Sequence, residues 1–517
     1  MDIVFADNAS IDATSGLWSV YFDRALLLAT LHRAATRAAL AGHAVLASFT
    51  QPIGPCDPIS VFNAIRQLGT GESFFWEKPE EQRAFAGVGA ATTIATTGAS
   101  CFTNADMAWR TLQQNSVVGF APGKLPSHVS GPILFGGFAF DPLHPHTQLW
   151  DGFPDGLLVL PYLLFSGGEK NAALTINVMV KAVDDNEQRA NEIIANIRRL
   201  HATVEQLLVQ PQHAAQSAPL VVQDLLPAAT WKELVARAVQ HIQQGAYEKV
   251  VMARAVQATL EDDTFAIDAT LQRLRKSYPA AYIFAIQRGE RYFVGATPER
   301  LVFAQDGQIR TMALAGSAPR GATEEEDRQA GRELLESEKN RQEHAIVVEM
   351  VRNALTDLCS HVWVGEAAQL LKLQNIQHLQ TPIVGELLPG HSILEALQYL
   401  HPTPAVGGFP REPALTEIRA NEQLDRGWYA GPIGWIDKSG HGEFAVALRS
   451  ALIDGNTATL FAGCGIVADS NPDSEYDESC LKLKVMLCGL LPDSETLPDS
   501  KTDLSSQGDR EGQPLQR

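Results

Sequence analysis

The segment TWKELVARAVQHIQQGAYEKVVMARAV, residues 230–256, passes directly from a helical pattern into a strand-like one. In its first half the apolar residues recur at the spacing of one helix face: Trp231, Leu234, Val235, Ala238, Val239 and Ile242. Thr230 and Glu233 have the spacing of a capping box, so we predict that the helix begins at Thr230. Gly245 predicts its end, and residues 247–256 then read as a β-strand.

The residues upstream of this segment favour antiparallel strands. Here short apolar runs alternate with Gly-rich turns, as in GPILFGGFAF (131–140) and LLVLPYLLF (157–165). This pattern is more typical of antiparallel strands than of βαβ units. No strand leads into a G-x-G-x-x-G turn and there is no Walker A motif, so a nucleotide-binding doubly wound fold is not indicated. We expect an α+β fold of layered, mostly antiparallel sheets flanked by helices.

Two polar stretches divide the chain. Residues 210–220 are small and polar between apolar segments, which is typical of a linker or a long surface loop. Residues 493–517 contain no aromatic residue and are rich in Ser, Asp, Gln and Pro, so we expect a disordered tail. This division gives an N-terminal α+β half, residues 1–209, that completes the core, and a catalytic domain, residues 221–492.

The overall charge argues against polyanionic partners. The 517 residues include 41 Lys and Arg against 60 Asp and Glu, a formal net charge of −19 that repels nucleic acid and anionic lipid. The six cysteines have no zinc-ligand spacing, and neither a signal peptide nor a membrane-spanning run is evident. We expect a cytoplasmic protein that binds neither nucleic acid nor membrane.

Two residues are candidates for acid–base chemistry. Lys249 lies in an apolar strand, where Lys249, Val251 and Ala253 should share one face. An edge-strand lysine in solvent is one interpretation; in a central strand, loss of water would favour the neutral amine, a general base. Glu299, in FVGATPERLVF, is either a turn carboxylate or an acid whose pKa is raised in a dry pocket.

Carboxylates on two helical segments are candidates for binding a divalent cation. Apolar residues recur at helical spacing from residue 346 to residue 358, and Glu343 lies one helical turn before the first of them. We therefore expect Glu343 to continue the stripe that faces the core. Further along, Glu475, Glu478 and Lys482 share one helix face. Such carboxylates could hold Mg²⁺, which prefers oxygen ligands. The alternatives are an exposed Glu478–Lys482 ion pair and a solvated Glu343.

Glycine-rich segments and one arginine suit a bound anion. The segments LAGSAPRG (314–321) and FAGCGIV (461–467) would let backbone N–H groups approach an anionic ligand closely. Arg449 follows the strand-like FAVAL and could make a two-point contact with a carboxylate. Each of these signals is common when taken singly.

Taken together, these segments resemble the chorismate-utilising enzyme family. The resemblance covers about half of the chain, and further likeness is found upstream in GESFFWE (71–77) and LFGGFAFD (134–141). The matching motifs occur in family order: EKVVMAR (248–254), GATPERL (295–301), LAGSAPRG (314–321), SEKNRQEH (337–344), HPTPAVGGFP (401–410), YAGPIGW (429–435), FAVALRS (444–450), FAGCGIV (461–467) and EYDESCLK (475–482). The resemblance implies the fold of that family and chorismate as the substrate.

The resemblance also implies a role for each candidate residue. Lys249 would be the general base and Glu299 the general acid. Glu343 and Glu478 would hold Mg²⁺ with support from Glu475. The substrate-binding positions implied by the family motifs are Gly316, Ser317, Arg449, Gly463 and Lys482.

Particular positions favour one activity within the family. Members that add water at C2 of chorismate carry a lysine at the position of Lys249, whereas ammonia-using members lack it. Arg411 after HPTPAVGGFP also favours the isochorismate synthases, and the menaquinone-pathway type is the more similar. No glutaminase subunit is therefore expected. A salicylate synthase and a non-catalytic chorismate-binding protein are the alternatives.

Overall fold

The structure is a computed structural model that describes residues 22–490, apart from residues 68, 70, 126–130, 168–170, 210–219, 262, 322 and 373–375. The side chains of residues 208, 209, 317 and 376 are also outside the description. Almost all of the predicted linker and the whole of the predicted disordered tail lie outside the described residues, so both stay predictions.

Eleven α-helices are found in the described part of the chain. They are α1 (Arg24–Ala41), α2 (Pro58–Arg66), α3 (Cys101–Gln114), α4 (Asn186–Val209), α5 (Ala228–Gln243), α6 (Ile267–Ser277), α7 (Glu324–Glu336), α8 (Glu338–Thr356), α9 (Ile393–Leu400), α10 (Arg411–Asn421) and α11 (Pro472–Leu490). Within the described residues, none of these helices is both long and apolar enough to cross a membrane.

The described strands form one connected network of pairings. They are β1 (Val45–Ile53), β2 (Glu72–Lys78), β3 (Arg83–Thr96), β4 (Val117–Phe120), β5 (Ile133–Phe138), β6 (Gly156–Gly167), β7 (Ala172–Val180), β8 (Leu220–Asp224), β9 (Lys249–Leu260), β10 (Tyr282–Arg288), β11 (Arg291–Thr297), β12 (Arg300–Gln305), β13 (Gln308–Pro319), β14 (Cys359–Val364), β15 (Gln369–Lys372), β16 (Ile376–Leu387), β17 (Gly408–Phe409), β18 (Pro432–Asp437), β19 (Gly442–Val446), β20 (Ser450–Asp454) and β21 (Thr457–Ile466). Among the described pairings only that of β1 with β4 is parallel, so the predicted mostly antiparallel α+β class is confirmed.

Strands of the N-terminal and C-terminal halves hydrogen-bond directly to one another. β2 pairs with β10, where Phe74 lies opposite Ile286, and β5 pairs with β18, where Phe135 lies opposite Trp435. The Phe85 and Trp435 rings, one from each half, are 5.1 Å apart between centroids. Each of the two hydrophobic cores contains buried residues of both halves. The two halves therefore share strand pairings and both hydrophobic cores.

The start of α5 differs from the prediction. The helix begins at Ala228, and Pro227 precedes it with extended backbone and accepts a hydrogen bond from the Trp231 N–H at 3.0 Å. Thr230 is already inside the first turn, so the predicted capping box is wrong. A proline readily occupies a position at the entrance of a helix, because its fixed φ suits that site. The apolar stripe is confirmed, since Trp231, Leu234, Val235, Ala238 and Ile242 are buried.

Candidate active site

Lys249 is the first residue of β9, and this strand is interior to the sheet. β9 pairs with β21 along most of its length and with β17 and β8 at its two ends. The Lys249 side chain is 23% exposed, and its Nζ lies 3.8 Å from Oε1 of Glu343. The interpretation of Lys249 as an edge-strand lysine in bulk solvent is therefore wrong.

Glu299 lies in the short connection between β11 and β12. Its backbone is fixed at both ends, because its carbonyl accepts from the Val446 N–H at 3.0 Å and its N–H donates to Thr297 Oγ1 at 3.3 Å. Loss of water around the carboxyl raises the pKa of Glu299 to about 7, which agrees with the second of the two interpretations that the sequence left open. The positive charges of Lys249, Lys482 and Arg449 oppose this rise without cancelling it.

Charges influence one another strongly only at short range. The charges of Lys249, Lys482 and Arg449 all act on the Glu299 carboxyl, so these three cations lie near it. Two of these cations come from β9 and α11, and the third follows β19. Four separate parts of the fold thus contribute charges to one site.

Arg449 has a strained backbone and a partly buried side chain. Its φ is 48°, in the left-handed region that is unfavourable for a residue with a Cβ. The Ala296 N–H donates to the Arg449 carbonyl at 3.0 Å, which helps to hold this conformation beside β11. Burial lowers the pKa of the guanidinium from its ordinary value. A desolvated cation of this kind suits the recognition of a substrate carboxylate.

The two glycine-rich segments lie largely on two strands, β13 and β21. Gly316 has φ +74° at a β-bulge in β13, and a Cβ there would lie 3.2 Å from Cβ of Asn340 on α8. Gly463 lies in β21, and its carbonyl accepts a hydrogen bond from Lys482 Nζ at 2.8 Å. Ser317 pairs through its backbone with His378 of β16; its side chain is outside the description.

Glu475 and Glu478 lie together on α11. A carboxylate oxygen of each and Sγ of Cys464 are all within 4.8 Å of one another. Lys482 Nζ lies 2.6 Å from Oε1 of Glu478, and Ser470 Oγ donates to Oε1 of Glu475 at 2.7 Å. Burial, with the charge of Glu478 as a smaller cause, raises the pKa of Glu475.

The two carboxylates of this group fit Mg²⁺, a hard cation that keeps several waters and needs few protein oxygens. Burial raises the pKa of the Cys464 thiol to about 12, so its sulfur is protonated when no metal is bound. The charge of Glu478 adds to the rise in the pKa of Glu475 that burial causes, and a bound divalent cation would relieve this repulsion.

Glu343 does not occupy the position predicted for it. The buried stripe of α8 runs through His344, Val347, Val351 and Leu355, so His344 takes the core-facing position that we predicted for Glu343. The Ser337 hydroxyl caps α8, which begins at Glu338. The helix packs on β13 and β16, and this packing determines which of its residues face the core. Glu343 is 38% exposed and lies outside the described group of Cys464, Glu475 and Glu478.

Instead, Glu343 lines a pocket with Lys249. The pocket has a volume of about 280 Å³, and its other walls include Ala315 of β13 and Phe409 of β17. Pro404, in the loop after α9, also lines it. The motif HPTPAVGGFP thus contributes to the site through its loop.

His378 is a site residue that the sequence analysis did not single out. Burial and the nearby charges of Lys249 and Lys482 lower its pKa to about 4, and its ring is hydrogen-bonded to the backbone of Gly316. The imidazole is therefore neutral near pH 7. No local pattern marks this residue; the pairing of β16 with β13 places it opposite Ser317, and the charges of Lys249 and Lys482 act on it.

Arg254 joins α11 to the strand that carries Lys249. Its buried guanidinium donates to Ser479 Oγ at 2.6 Å and to Sγ of Cys480 at 3.0 Å, and it lies 4.2 Å from the ring centroid of Tyr476. These three residues are on α11, among Glu475, Glu478 and Lys482. Arg254 thus fixes the helix of the carboxylates relative to β9.

The chain is similar in sequence to a known family of enzymes. Residues 31–491 match the family described as chorismate binding enzyme. The chain is 40% identical over 450 residues to the isochorismate synthase MenF of Bacillus subtilis, covering 87% of this chain and 94% of the relative. It is 38% identical over 466 residues to the salicylate biosynthesis isochorismate synthase of Pseudomonas aeruginosa, covering 89% and 93%.

A solved structure agrees with this similarity. The menaquinone-specific isochorismate synthase MenF of Escherichia coli superimposes with a TM-score of 0.71 at 27% identity, covering 89% of this chain and all of that one. The matched region spans both halves of the chain and includes every candidate site residue. The chain belongs to the family of chorismate binding enzymes.

Proposed function

We propose that this protein is an isochorismate synthase, which isomerises chorismate to isochorismate. The observation that carries the proposal is the proximity of Lys249 to Glu299: the charge of Lys249 acts on the Glu299 carboxyl, whose pKa is raised by burial to about 7. Water must add at C2 of chorismate while the 4-hydroxyl leaves, so the reaction needs one base and one acid. An amine and a carboxyl that is still partly protonated near pH 7 meet this requirement.

Lys249 and Glu299 would divide the proton transfers between them. Lys249 takes a proton from the attacking water as the new C2–O bond forms. The ring double bonds shift, and Glu299 donates its proton to the departing 4-hydroxyl, which leaves as water. Each turnover leaves Lys249 with one more proton and Glu299 with one fewer, so the pair is restored when Lys249 releases a proton to solvent and Glu299 takes one up. Each contributes about 10²- to 10⁴-fold to the rate.

The remaining candidates would bind and orient the substrate. Arg449 and the backbone of Gly463 hold the enolpyruvyl side chain, and Gly316 with Ser317 forms the opposite wall. Lys482 supports this arrangement, because its bonds to Glu478 and to the Gly463 carbonyl fix it between the carboxylates and the substrate. Orientation of this kind is a large part of catalysis when the reactants are held close to the reacting geometry.

Glu343, Glu475 and Glu478 are the residues that would hold Mg²⁺. When bound, the ion would neutralise and anchor the ring carboxylate of chorismate. The local acidic charge supports this role, since three carboxylates would otherwise repel a dianionic substrate. Glu343 would approach from α8, and Glu475 with Glu478 from α11.

The comparisons support this activity through the names of the relatives. The Bacillus subtilis and Pseudomonas aeruginosa proteins are both called isochorismate synthases, and each aligns with most of this chain. The Escherichia coli structure is described as menaquinone-specific. We therefore place the product in menaquinone biosynthesis and the enzyme in the cytoplasm. Because the nucleophile is water, no glutaminase partner is needed.

A product analysis tests the proposal. Purified protein is incubated with chorismate and Mg²⁺, and the products are separated by chromatography, with Lys249→Gln as the matched blank. Isochorismate from the wild-type protein alone is the expected result. Salicylate with pyruvate would instead identify a salicylate synthase, and binding of chorismate without turnover would identify a non-catalytic protein.

A further inference from the structure

Gly465 lies on β21 beside the side chain of Lys249. Gly465 is opposite Val251 in the pairing of β21 with β9, and Ile466 is opposite Val250. Lys249 and Val251 share one face of β9, because side chains alternate along a strand. Gly465 is therefore the diagonal cross-strand neighbour of Lys249 on the face that borders the pocket.

The backbone does not require glycine at this position. Gly465 is not among the glycines with positive φ, so an L-residue could adopt its conformation. A Cβ built on Gly465 would be 2.9 Å from Cε and 3.6 Å from Nζ of Lys249. Among the described residues, and leaving out its chain neighbours, no other atom would come within 4 Å of that Cβ.

We propose that Gly465 is a positioning residue for Lys249: the missing side chain leaves the space in which the end of the lysine side chain lies. The proposal rests on the proposed function, in which Lys249 is the base. With any larger residue at 465, the amine would have to leave its place beside Glu343. The fold would tolerate the change, because the crowded atoms are the flexible end of a long side chain and not backbone.

Gly465→Ala should therefore reduce catalysis more than stability. A displacement of the amine by about 1 Å lowers the rate by about 10²-fold when the group must meet a reacting atom. The substitution leaves Arg449 and Gly316 unchanged, so the expected effect is a fall in kcat with little change in KM.

Gly463→Ala is the matched comparison. It is two residues away on the same strand, but its Cβ would meet the Tyr429 hydroxyl at 3.2 Å and Cγ1 of Val251 at 3.3 Å, not Lys249. Because Gly463 belongs to the substrate-binding wall, its alanine variant should raise KM. The two variants thus separate displacement of the base from damage to the binding wall.

The kinetic test is a double-mutant cycle with Lys249→Ala. If Gly465 acts through Lys249, the residual activity of Lys249→Ala is not reduced further by Gly465→Ala. Equal fold losses in both backgrounds, or a Gly465→Ala enzyme with wild-type kcat, would overturn the proposal. If Gly465→Ala alone fails to fold, recovery of folding in the double variant supports the contact, and failure of both variants overturns it.

A second readout does not depend on activity. Lysines are reductively methylated with ¹³C, and the Lys249 methyl resonance is assigned by its absence from Lys249→Ala. Gly465→Ala should shift this resonance, whereas Gly463→Ala should leave it in place; an unshifted resonance in Gly465→Ala would count against the proposal. If the wild-type protein forms no isochorismate, the proposed function is wrong, and the resonance alone decides whether Gly465 positions Lys249.

Discussion

Nζ of Lys249 lies 3.8 Å from Oε1 of Glu343, and both residues line a pocket of about 280 Å³. This distance is too long for a hydrogen bond. The Lys249 side chain is therefore held beside Glu343 without being locked by a directional bond. This arrangement suits a group that must form a hydrogen bond to a substrate water.

Replacing Lys249 by Gln should abolish water addition while preserving the fold. Glutamine has a similar size but cannot take up a proton, so isochorismate formation should fall by about 10²- to 10⁴-fold. Product formation and thermal unfolding are measured together, with Lys276→Gln on the exposed end of α6 as the control. A Lys249→Gln enzyme as active as the wild type would remove the base assignment.

The carboxyl of Glu299 should titrate close to pH 7. Its pKa is raised to about 7, so the protonated acid is present below that pH and lost above it. In ¹³C-glutamate-labelled protein, one carboxyl resonance should titrate there and be absent from Glu299→Gln. A Glu299 carboxyl that titrates near its ordinary value of 4.5 would contradict the assignment of Glu299 as the acid.

The same shift predicts a pH-dependent effect on stability. Because the folded pKa lies above the unfolded one, the contribution of Glu299 to stability is complete below the unfolded pKa and is lost as the pH rises through about 7. Glu299→Gln should therefore increase the free energy of unfolding at about pH 8 relative to wild type, and less so at about pH 5. Urea denaturation at the two pH values measures this difference, while chorismate turnover should fall as in Lys249→Gln.

Chelation of Mg²⁺ should stop turnover reversibly. We expect EDTA to abolish isochorismate formation and excess Mg²⁺ to restore it, because the clustered carboxylates repel an anionic substrate without a cation. Glu478→Gln should weaken Mg²⁺ binding by at least about 10-fold, measured by calorimetry. Glu349→Gln, on the exposed side of α8, is the control. Full turnover in chelator would refute the metal requirement.

A buried ion pair that contacts β9 should be important for stability. Arg426 and Glu422 are almost fully buried, and Glu422 also accepts a hydrogen bond from the Ala253 N–H of β9 at 2.7 Å. Arg426→Met leaves the Glu422 charge buried and should cost about 3–5 kcal/mol of unfolding free energy. Arg328→Met, which breaks the exposed pair with Glu325, should cost less than about 1 kcal/mol. Similar costs for the two variants would show that burial does not determine the effect.

Local patterns predicted those features that depend on near neighbours in the chain. The stripe from Trp231 to Ile242 packs as its periodicity indicates, and the Glu478–Lys482 pair forms at the i, i+4 spacing. The ordered motifs predicted the family, which the similarity over residues 31–491 confirms. Repeating contacts along a helix or strand depend on backbone geometry alone, so they can be read without the rest of the fold.

The sequence did not predict features that depend on distant segments. His344 rather than Glu343 faces the core, because the orientation of α8 follows its packing on β13 and β16. His378 lies opposite Ser317 only because β16 pairs with β13.

The amino-acid sequence by itself determined the chemical groups available to this protein and the order of the motifs that carry them. Only the tertiary structure decided how much water surrounds each group. The pKa of Glu299 and the place of Lys249 beside Gly465 both depend on which strands become neighbours, since desolvation and close packing arise from segments far apart in the chain.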